Sequence, residues 1–372
     1  MPVAASAAVL LVACGGGGDG GSAAPQAAAL TASPGAGTGS GAQASTASSG
    51  NTTTPAAATA RACYTVSGNA AAPVTGAIGV LPARGTSVSG YRVLDDARGA
   101  GLCYANYRRE QVGLPPLTAR DALGRSAQHH TAYMLANQTL THDETSGAPG
   151  FTGATANGRI QAVYPTNATA EVVATGNRWT SVAGANLSMT PKDALVVDLI
   201  HAPFHRAALL GSYGSAGSGF AESVGAGSTG GTSASYYQTI DLADASKGGA
   251  DNLMVAYPYD GQADVPPSWV NNESPNPAPA YAGQTIGYPV TLQAIDTSLT
   301  FNADTFTITD AQGRNVPCEK VDARTAGMSS AARGLAMCTP TAPLTSGTRY
   351  NVTVTGTLGR QAVNLNWSFT TL

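Results

Sequence analysis

The five histidines are the residues of this sequence best suited to chemistry near neutral pH. A neutral imidazole can bind a metal ion or move a proton, so its neighbours decide which role fits. His142 stands in a Thr-His-Asp segment and His205 in a Phe-His-Arg segment. His130 falls on the apolar stripe of a helix-like run, which indicates a core residue rather than a ligand. Asp143 and Glu144, beside His142, are expected to be solvated loop acids.

Several common catalytic motifs do not occur in the sequence. It has no Gly-x-Ser-x-Gly, no His-Glu-x-x-His, and no Gly-Lys-Ser/Thr after a glycine loop. A typical α/β-hydrolase, zincin or P-loop protein therefore lacks its motif here. The glycine-rich stretch 225–231 has no such lysine and is expected to be a hairpin loop between two strands.

Three helices are predicted to position these residues. The first covers 102–113 and ends at a glycine, which suits the C-terminal cap of a helix. The second begins at a segment resembling a capping box, 118–121, and ends near Gln138. The third opens with Pro191 in the first helical turn and runs towards Pro203.

An ordered series of short segments surrounds these helices. They are Asn106-Tyr-Arg108 with Gly113-Leu-Pro-Pro-Leu117, Ala127-Gln-His-His-Thr-Ala-Tyr-Met134, Thr141-His142-Asp143, Phe151 to Arg159, Ala170-Glu171-Val172, Ala202-Pro-Phe-His-Arg206 and Gly217-Ser-Gly219. In this order they resemble the bacterial branch of the CAP family, the cysteine-rich secretory, antigen five and pathogenesis-related proteins. The resemblance covers about residues 102 to 245. It implies an α+β domain built as an α–β–α sandwich.

The resemblance also implies a site. In that family two histidines and two acidic residues line a cleft, and in some members the histidines hold a divalent cation, often zinc. The matching positions here are His142, His205 and, as the first acid, Glu171. The second acid is missing from the third helix, where His201 stands unassigned nearby. Two imidazoles and one carboxylate suit zinc or a similar cation, and Glu171 beside a bound water could act as a general base.

The five cysteines indicate export. Cys14 ends a Leu-Val-Ala-Cys segment that resembles the lipobox of bacterial lipoproteins, so we expect it to be lipidated. The remaining four are predicted to form two disulfides, Cys63 with Cys103 and Cys318 with Cys338. Disulfides of this kind persist in an oxidising compartment.

The N-terminal part of the chain is expected to be a leader and a tether. Residues 1–14 are interpreted as a lipoprotein signal segment, with a start codon upstream because no Lys or Arg precedes Arg61. All but five of residues 15–60 are Gly, Ala, Ser, Thr or Pro, a composition typical of a disordered linker. Residues 61–250 are then the CAP domain with an N-terminal extension.

Residues 251–372 are predicted to be an immunoglobulin-like β-sandwich. The segment contains short alternating runs, such as Phe306-Thr-Ile-Thr, separated by Gly and Asp turns. It resembles the immunoglobulin-like domains of bacterial surface proteins. Trp367 and Phe369 lie on one face of a predicted strand and should be in the core.

Composition limits the partners. The formal net charge is -3 and only 11% of residues are charged, so the sequence carries no signature of nucleic-acid binding. No run of 18 apolar residues occurs, which leaves the lipid anchor as the expected membrane attachment. The protein is therefore expected to be exported and held on the periplasmic or surface face of the envelope.

Three functions remain open at this point. The leading hypothesis is an envelope-anchored CAP protein whose cleft binds a small-molecule, lipid or glycan ligand, with or without a divalent metal, and without turnover. The second is a metal-assisted hydrolase of an envelope polymer, peptide or nucleic acid, with Glu171 as its catalytic base. The third is an adhesion protein that acts through the β-sandwich. The fold alone does not choose among them.

Overall fold

The computed structural model describes residues 8–12, 61–68, 76–245 and 252–372. Cys14 and the linker 15–60 lie outside the described residues, so the lipid anchor and the tether stay predictions. Part of the predicted signal segment, Ala8–Val12, forms a strand. Within the described ranges, no helix is long and apolar enough to cross a membrane.

Five α-helices occur in the described residues, all before residue 210. They are α1 Ala97–Gln111, α2 Asp121–Asn137, α3 Ala156–Val163, α4 Ala194–His201 and α5 Pro203–Leu209. The three predicted helices correspond to α1, α2 and α4, but Pro191 does not open the third, because α4 begins at Ala194 after the N-cap residue Asp193. The sequence did not predict α3 and α5, which are only eight and seven residues long.

The helix ends explain two differences from the prediction. Helix α1 begins earlier than predicted because the carboxylate of Asp96 accepts a hydrogen bond from the Gly99 amide at 2.9 Å, capping the helix there. The predicted capping box before α2 is wrong, since Thr118–Ala119 form a strand and no side chain caps the helix. The predicted glycine after α1 is confirmed, as Gly113 has a φ of +92° that favours glycine.

The strands alternate with the helices and then follow them. They are β1 Ala8–Val12, β2 Thr65–Val66, β3 Gly79–Val80, β4 Val88–Ser89, β5 Thr118–Ala119, β6 Thr169–Thr180, β7 Tyr213–Ala226, β8 Thr232–Ala245, β9 Leu253–Tyr257, β10 Gln262–Val265, β11 Ser268–Val270, β12 Thr285–Gly287, β13 Val290–Ala294, β14 Phe301–Thr309, β15 Cys318–Val321, β16 Leu335–Pro340, β17 Arg349–Leu358 and β18 Gln361–Thr371. The loop between β7 and β8 is the predicted glycine-rich hairpin.

The first sheet has the strand order β1-β6-β8-β7-β5. All neighbours are antiparallel except β5 and β7. Its three long strands place Glu171 of β6 directly opposite Asp241 of β8, which in turn faces Gly217 of β7. Residues at these positions point to the same face of the sheet.

Helices cover both faces of this sheet. Helix α2 lies so close to β7 that a Cβ at Gly219 would come within 2.4 Å of the carbonyl carbon of Ala127. Helix α1 lies on the other face, where a Cβ at Gly101 would come within 2.3 Å of Gln238 Nε2. Gly219 pairs with Thr239 across the sheet, and Gln238 is the residue just before Thr239. Because side chains of consecutive strand residues point to opposite faces, Gln238 points away from the face that α2 covers. The predicted α–β–α arrangement is therefore confirmed.

The C-terminal region is rich in β-structure, with two main sheets. Their orders are β10-β18-β17-β14 and β15-β16-β13-β9-β3. Trp367 and Phe369 are buried, as predicted, while the specific immunoglobulin-like assignment stays a prediction. Strand β3 precedes the helices in sequence yet pairs with β9 in the second sheet. One hydrophobic cluster includes residues from both regions, among them Leu199 of α4 and Leu292 of β13.

Both predicted disulfides are present. Cys63 is bonded to Cys103 of α1, with their Cα atoms 6.1 Å apart. Cys318 of β15 is bonded to Cys338 of β16, with a Cα separation of 5.5 Å. The first bond attaches the segment before the helices to α1, and the second joins neighbouring strands of the C-terminal region.

Candidate functional site

His142 and Glu171 form the centre of the site. His142 lies in the loop that follows α2, and its Nδ1 is 2.8 Å from Glu171 Oε1 on β6. Glu171 is fully buried, whereas the side chain of His142 keeps 15% of its surface exposed. The carboxylate therefore fixes the orientation of an imidazole that solvent can reach.

Arg159 of α3 holds the same carboxylate from the other side. Its Nη2 donates to Glu171 Oε2 at 2.8 Å and to the carbonyl oxygen of His142, also at 2.8 Å. Its Nη1 donates to the carbonyl oxygen of Gly153 at 3.1 Å. Helix α3 is thus joined to the histidine loop, and both oxygens of Glu171 are engaged.

His130 and Glu144 extend this network. His130 Nδ1 is 2.9 Å from Glu144 Oε1, and His130 Nε2 is 2.8 Å from the carbonyl oxygen of Thr141. The prediction that His130 is a satisfied core histidine is confirmed, since the residue is fully buried. The prediction that Glu144 is a solvated acid is wrong. Its loop folds back so that the Thr152 amide donates to Glu144 Oε2, which buries the carboxylate.

The network keeps two of its acids ionised. Burial alone would raise the pKa of Glu171, but the hydrogen bond from His142 and the positive charges of His130 and Arg159 hold it below the usual value. The pKa of Glu144 is lowered in the same way, because hydrogen bonds from the Thr152 amide and His130 outweigh burial.

Asp241 is the third buried acid of this region. It lies opposite Glu171 in the sheet and is fully buried. Neither of its carboxylate oxygens has a well-aligned hydrogen-bond partner among the described residues. Burial and the nearby charge of Glu171 raise its pKa well above the usual value. Burial beside the ionised Glu171 therefore favours the protonated form of Asp241.

His205 occupies a different place. Its Nδ1 is 2.7 Å from Glu273 Oε1, and the same oxygen accepts from the His205 amide at 2.8 Å. Both side chains are fully buried. Glu273 follows β11 in the C-terminal region, so His205 joins the helical region to the β-rich region.

Arg206 strengthens this junction. Its guanidinium lies 4.7 Å from the ring centre of Tyr257 and 5.4 Å from that of Tyr288, which favours a cation–π contact. It also donates to the carbonyl oxygens of Pro289 at 2.8 Å and Ile200 at 3.0 Å. The segment containing His205 is therefore part of the packing between the two regions.

The structure does not bring the three predicted site residues together. His142 and Glu171 are in contact, but His205 pairs with Glu273 instead. In the part of the chain that the structure describes, no three His, Cys, Asp or Glu side chains are grouped to hold a metal ion. The unassigned His201 contacts Tyr288 Oη, and burial with the charges of Arg108 and Arg206 lowers its pKa to about 3. The zinc site therefore stays a prediction.

Comparison with protein families identifies one domain of the chain. The sequence profile of CAP, the cysteine-rich secretory protein family, matches residues 102–238. Residues 102–238 form a CAP domain. The match lies within the 102 to 245 span of the predicted resemblance. A search of curated proteins returned no significant match.

The CAP domain also indicates the setting of the protein. CAP domains are typically extracellular, and the two disulfides fit an exported protein. The chain therefore contains a CAP domain of a typically extracellular family at residues 102–238, and a β-rich C-terminal region follows it.

Three residues of this arrangement escaped sequence reasoning: Glu144, Asp241 and Glu273. The sequence could have indicated Asp241, because it is an acid between the apolar residues Ile240 and Leu242, after the predicted glycine-rich hairpin loop. Glu144 stands close to His142 in sequence, but its burial depends on how the loop folds back. Glu273 had no local signal, since its partner is 68 residues away in sequence.

Proposed function

We propose that the protein is an exported CAP-domain protein, anchored to the envelope by lipidated Cys14, that binds a ligand beside His142 without turning it over. The anchor is supported by the lipobox-like segment alone. The binding role is supported by the network around Glu171.

The observation that carries the proposal is the difference in exposure within the network. His142 is partly exposed, whereas His130, Glu144, Arg159 and Glu171 are buried. An oriented imidazole at the surface suits a ligand contact, because it can donate or accept a hydrogen bond. A general base must reach the proton that it removes, and Glu171 has neither an exposed oxygen nor an unengaged one. This favours binding over the hydrolase alternative.

A binding screen with matched variants tests the proposal. Thermal unfolding of the full chain would be followed with three probes, which are zinc chloride, palmitate and an N-acetylglucosamine tetramer. A ligand that binds the folded state raises the unfolding temperature, and the rise grows with the logarithm of the ligand concentration above its Kd. We expect at least one probe to raise it in the wild type. His142→Ala should remove that shift, and the exposed His129→Ala should keep it.

Two results would contradict the proposal. One is a shift that persists in His142→Ala, which would place the ligand elsewhere. The other is the absence of any shift with all three probes. Turnover of a peptide, glycan or nucleic-acid substrate that disappears in Glu171→Gln would instead favour the hydrolase.

A further inference from the structure

One face of the C-terminal sheet is unusually uniform in its chemistry. Its outward positions on β14, β17 and β18 form cross-strand rows, and two of these rows are Thr305 with Thr355 and Asn364, and Thr307 with Thr353 and Asn366. We call these six residues the hydroxyl–amide face. Four carry a hydroxyl group and two carry an amide, and none is charged. All are exposed or partly exposed.

The face is ordered as well as polar. Neighbouring strands lie about 4.8 Å apart and alternate residues about 6.8 Å apart, so the six groups occupy a regular grid. The hydroxyl groups of Thr305 and Thr355 are hydrogen-bonded to each other at 2.7 Å. The opposite side of the same strands is core, with Phe306, Val354 and Leu365 buried. The packed core beneath these strands therefore holds the six polar groups in fixed positions.

A groove continues the face at one end. It has a volume of about 330 Å³, and its lining includes Asp260, Arg349, Thr353, Asn366 and Ser368. Asp260 Oδ1 accepts from the Ser368 amide at 3.0 Å, and Arg349 donates to Ser368 Oγ at 3.0 Å. These contacts fix one carboxylate and one guanidinium beside the neutral grid. A volume of this size is at the lower end for small-ligand sites.

We propose that the hydroxyl–amide face and its groove bind a neutral polysaccharide. A sugar hydroxyl both donates and accepts hydrogen bonds, as threonine hydroxyls do, and amides supply both functions from separate atoms. Short side chains lose little conformational entropy when a polymer covers them. The grid carries no charge and the groove pairs one carboxylate with one guanidinium, so the surface has no net charge to attract a polyanion and complements a neutral polymer. The face lies in the C-terminal region, whereas His142 belongs to the CAP domain.

Affinity electrophoresis of the full chain tests the proposal. Native gels would contain dextran, laminarin or, as a charged counterpart, polygalacturonate, and mobility would be compared with that in plain gels. The variants are Thr353→Glu and the nearly isosteric Asn366→Asp. The control is Ser146→Glu, which adds the same charge at an exposed position of the CAP domain.

We expect dextran or laminarin to retard the wild type and Ser146→Glu equally. Thr353→Glu and Asn366→Asp should weaken retardation about tenfold or more in apparent Kd, because a covered carboxylate without a partner costs more than a lost neutral hydrogen bond. The proposal is overturned if neither neutral polymer retards the protein, if only polygalacturonate does, or if both face variants behave like the control. Concentration-dependent dimerisation that Thr353→Glu abolishes, without retardation, would assign the face to a second copy of the chain.

Discussion

At the scale of single residues, burial decides what each acid near His142 can do. Glu171 is ionised and engaged on both oxygens, so it orients His142 and Arg159. Asp241 is buried opposite Glu171 with no well-aligned partner among the described residues, so it keeps its proton. Glu171 and Asp241 face each other across the sheet, but only Glu171 contacts cationic side chains. The two acids therefore differ in charge.

Replacing Asp241 with asparagine should stabilise the protein at neutral and alkaline pH. The folded pKa of Asp241 is raised above its unfolded value of about 3.9, so its contribution to stability is fully present below that pH and is lost as pH rises through the folded pKa. Asparagine does not titrate and can still donate a hydrogen bond. We expect Asp241→Asn to gain roughly 1–3 kcal/mol at pH 8 and less as pH falls towards 4.

Urea unfolding at several pH values measures this effect. The exposed Asp95→Asn serves as the control, since it removes a carboxylate without changing a buried group. A loss of stability in Asp241→Asn at every pH would show that Asp241 is not the protonated partner.

At the scale of elements, two glycines on one strand report how closely α2 packs. A Cβ at Gly219 would lie 2.4 Å from the backbone of Ala127, whereas a Cβ at Gly225 would meet nothing within 4 Å. Gly219→Ala should therefore cost roughly 1–3 kcal/mol, because the helix must shift away from the sheet. Gly225→Ala should leave the free energy of unfolding unchanged or slightly higher.

Thermal unfolding of these two variants shows whether the loss of stability comes from the close approach of α2 at Gly219. If alanine in β7 were unfavourable in general, both variants would lose stability. Equal stability of both variants would contradict the close approach of α2 to the sheet. Displacement of α2 would also move the loop that carries His142.

The elements themselves were largely predictable from sequence. Helices α1, α2 and α4 show apolar periodicity or helix-end signals, and the β7–β8 hairpin has a glycine-rich turn. Short helices such as α3 have too few residues to show a clear period. The start of α1 was misplaced because the capping hydrogen bond at Asp96, rather than apolar spacing, decides where this helix begins.

At the scale of the whole molecule, the pair of His205 and Glu273 connects the CAP domain to the β-rich region. Removing one member of a buried, hydrogen-bonded pair leaves the other without its partner. Glu273→Ala should lower the free energy of unfolding by roughly 2–4 kcal/mol. The exposed pair of Arg324 and Asp304 provides the control, because Asp304→Ala should change stability little. Chemical denaturation of both variants measures the difference, and equal stability would contradict a buried junction.

The relation between His142 and His205 shows the limit of the sequence at this scale. A family resemblance placed both in one cleft, and local sequence gives no reason to separate them. In the structure His142 pairs with Glu171, whereas His205 and Arg206 join the segment after α4 to Glu273 and Pro289 of the C-terminal region. Contacts between residues so far apart in sequence depend on how two sheets pack, which local patterns do not encode.

The reactivity of each histidine in the folded full-length chain tests this account most directly. Limited modification with diethyl pyrocarbonate, followed by peptide mass spectrometry, gives a rate for every imidazole. The account predicts that His129 and His142 react, that His130 and His205 are protected, and that Glu273→Ala increases the rate at His205. Modification of His205 in the wild type as fast as His142 would contradict it, because both would then face an open cleft.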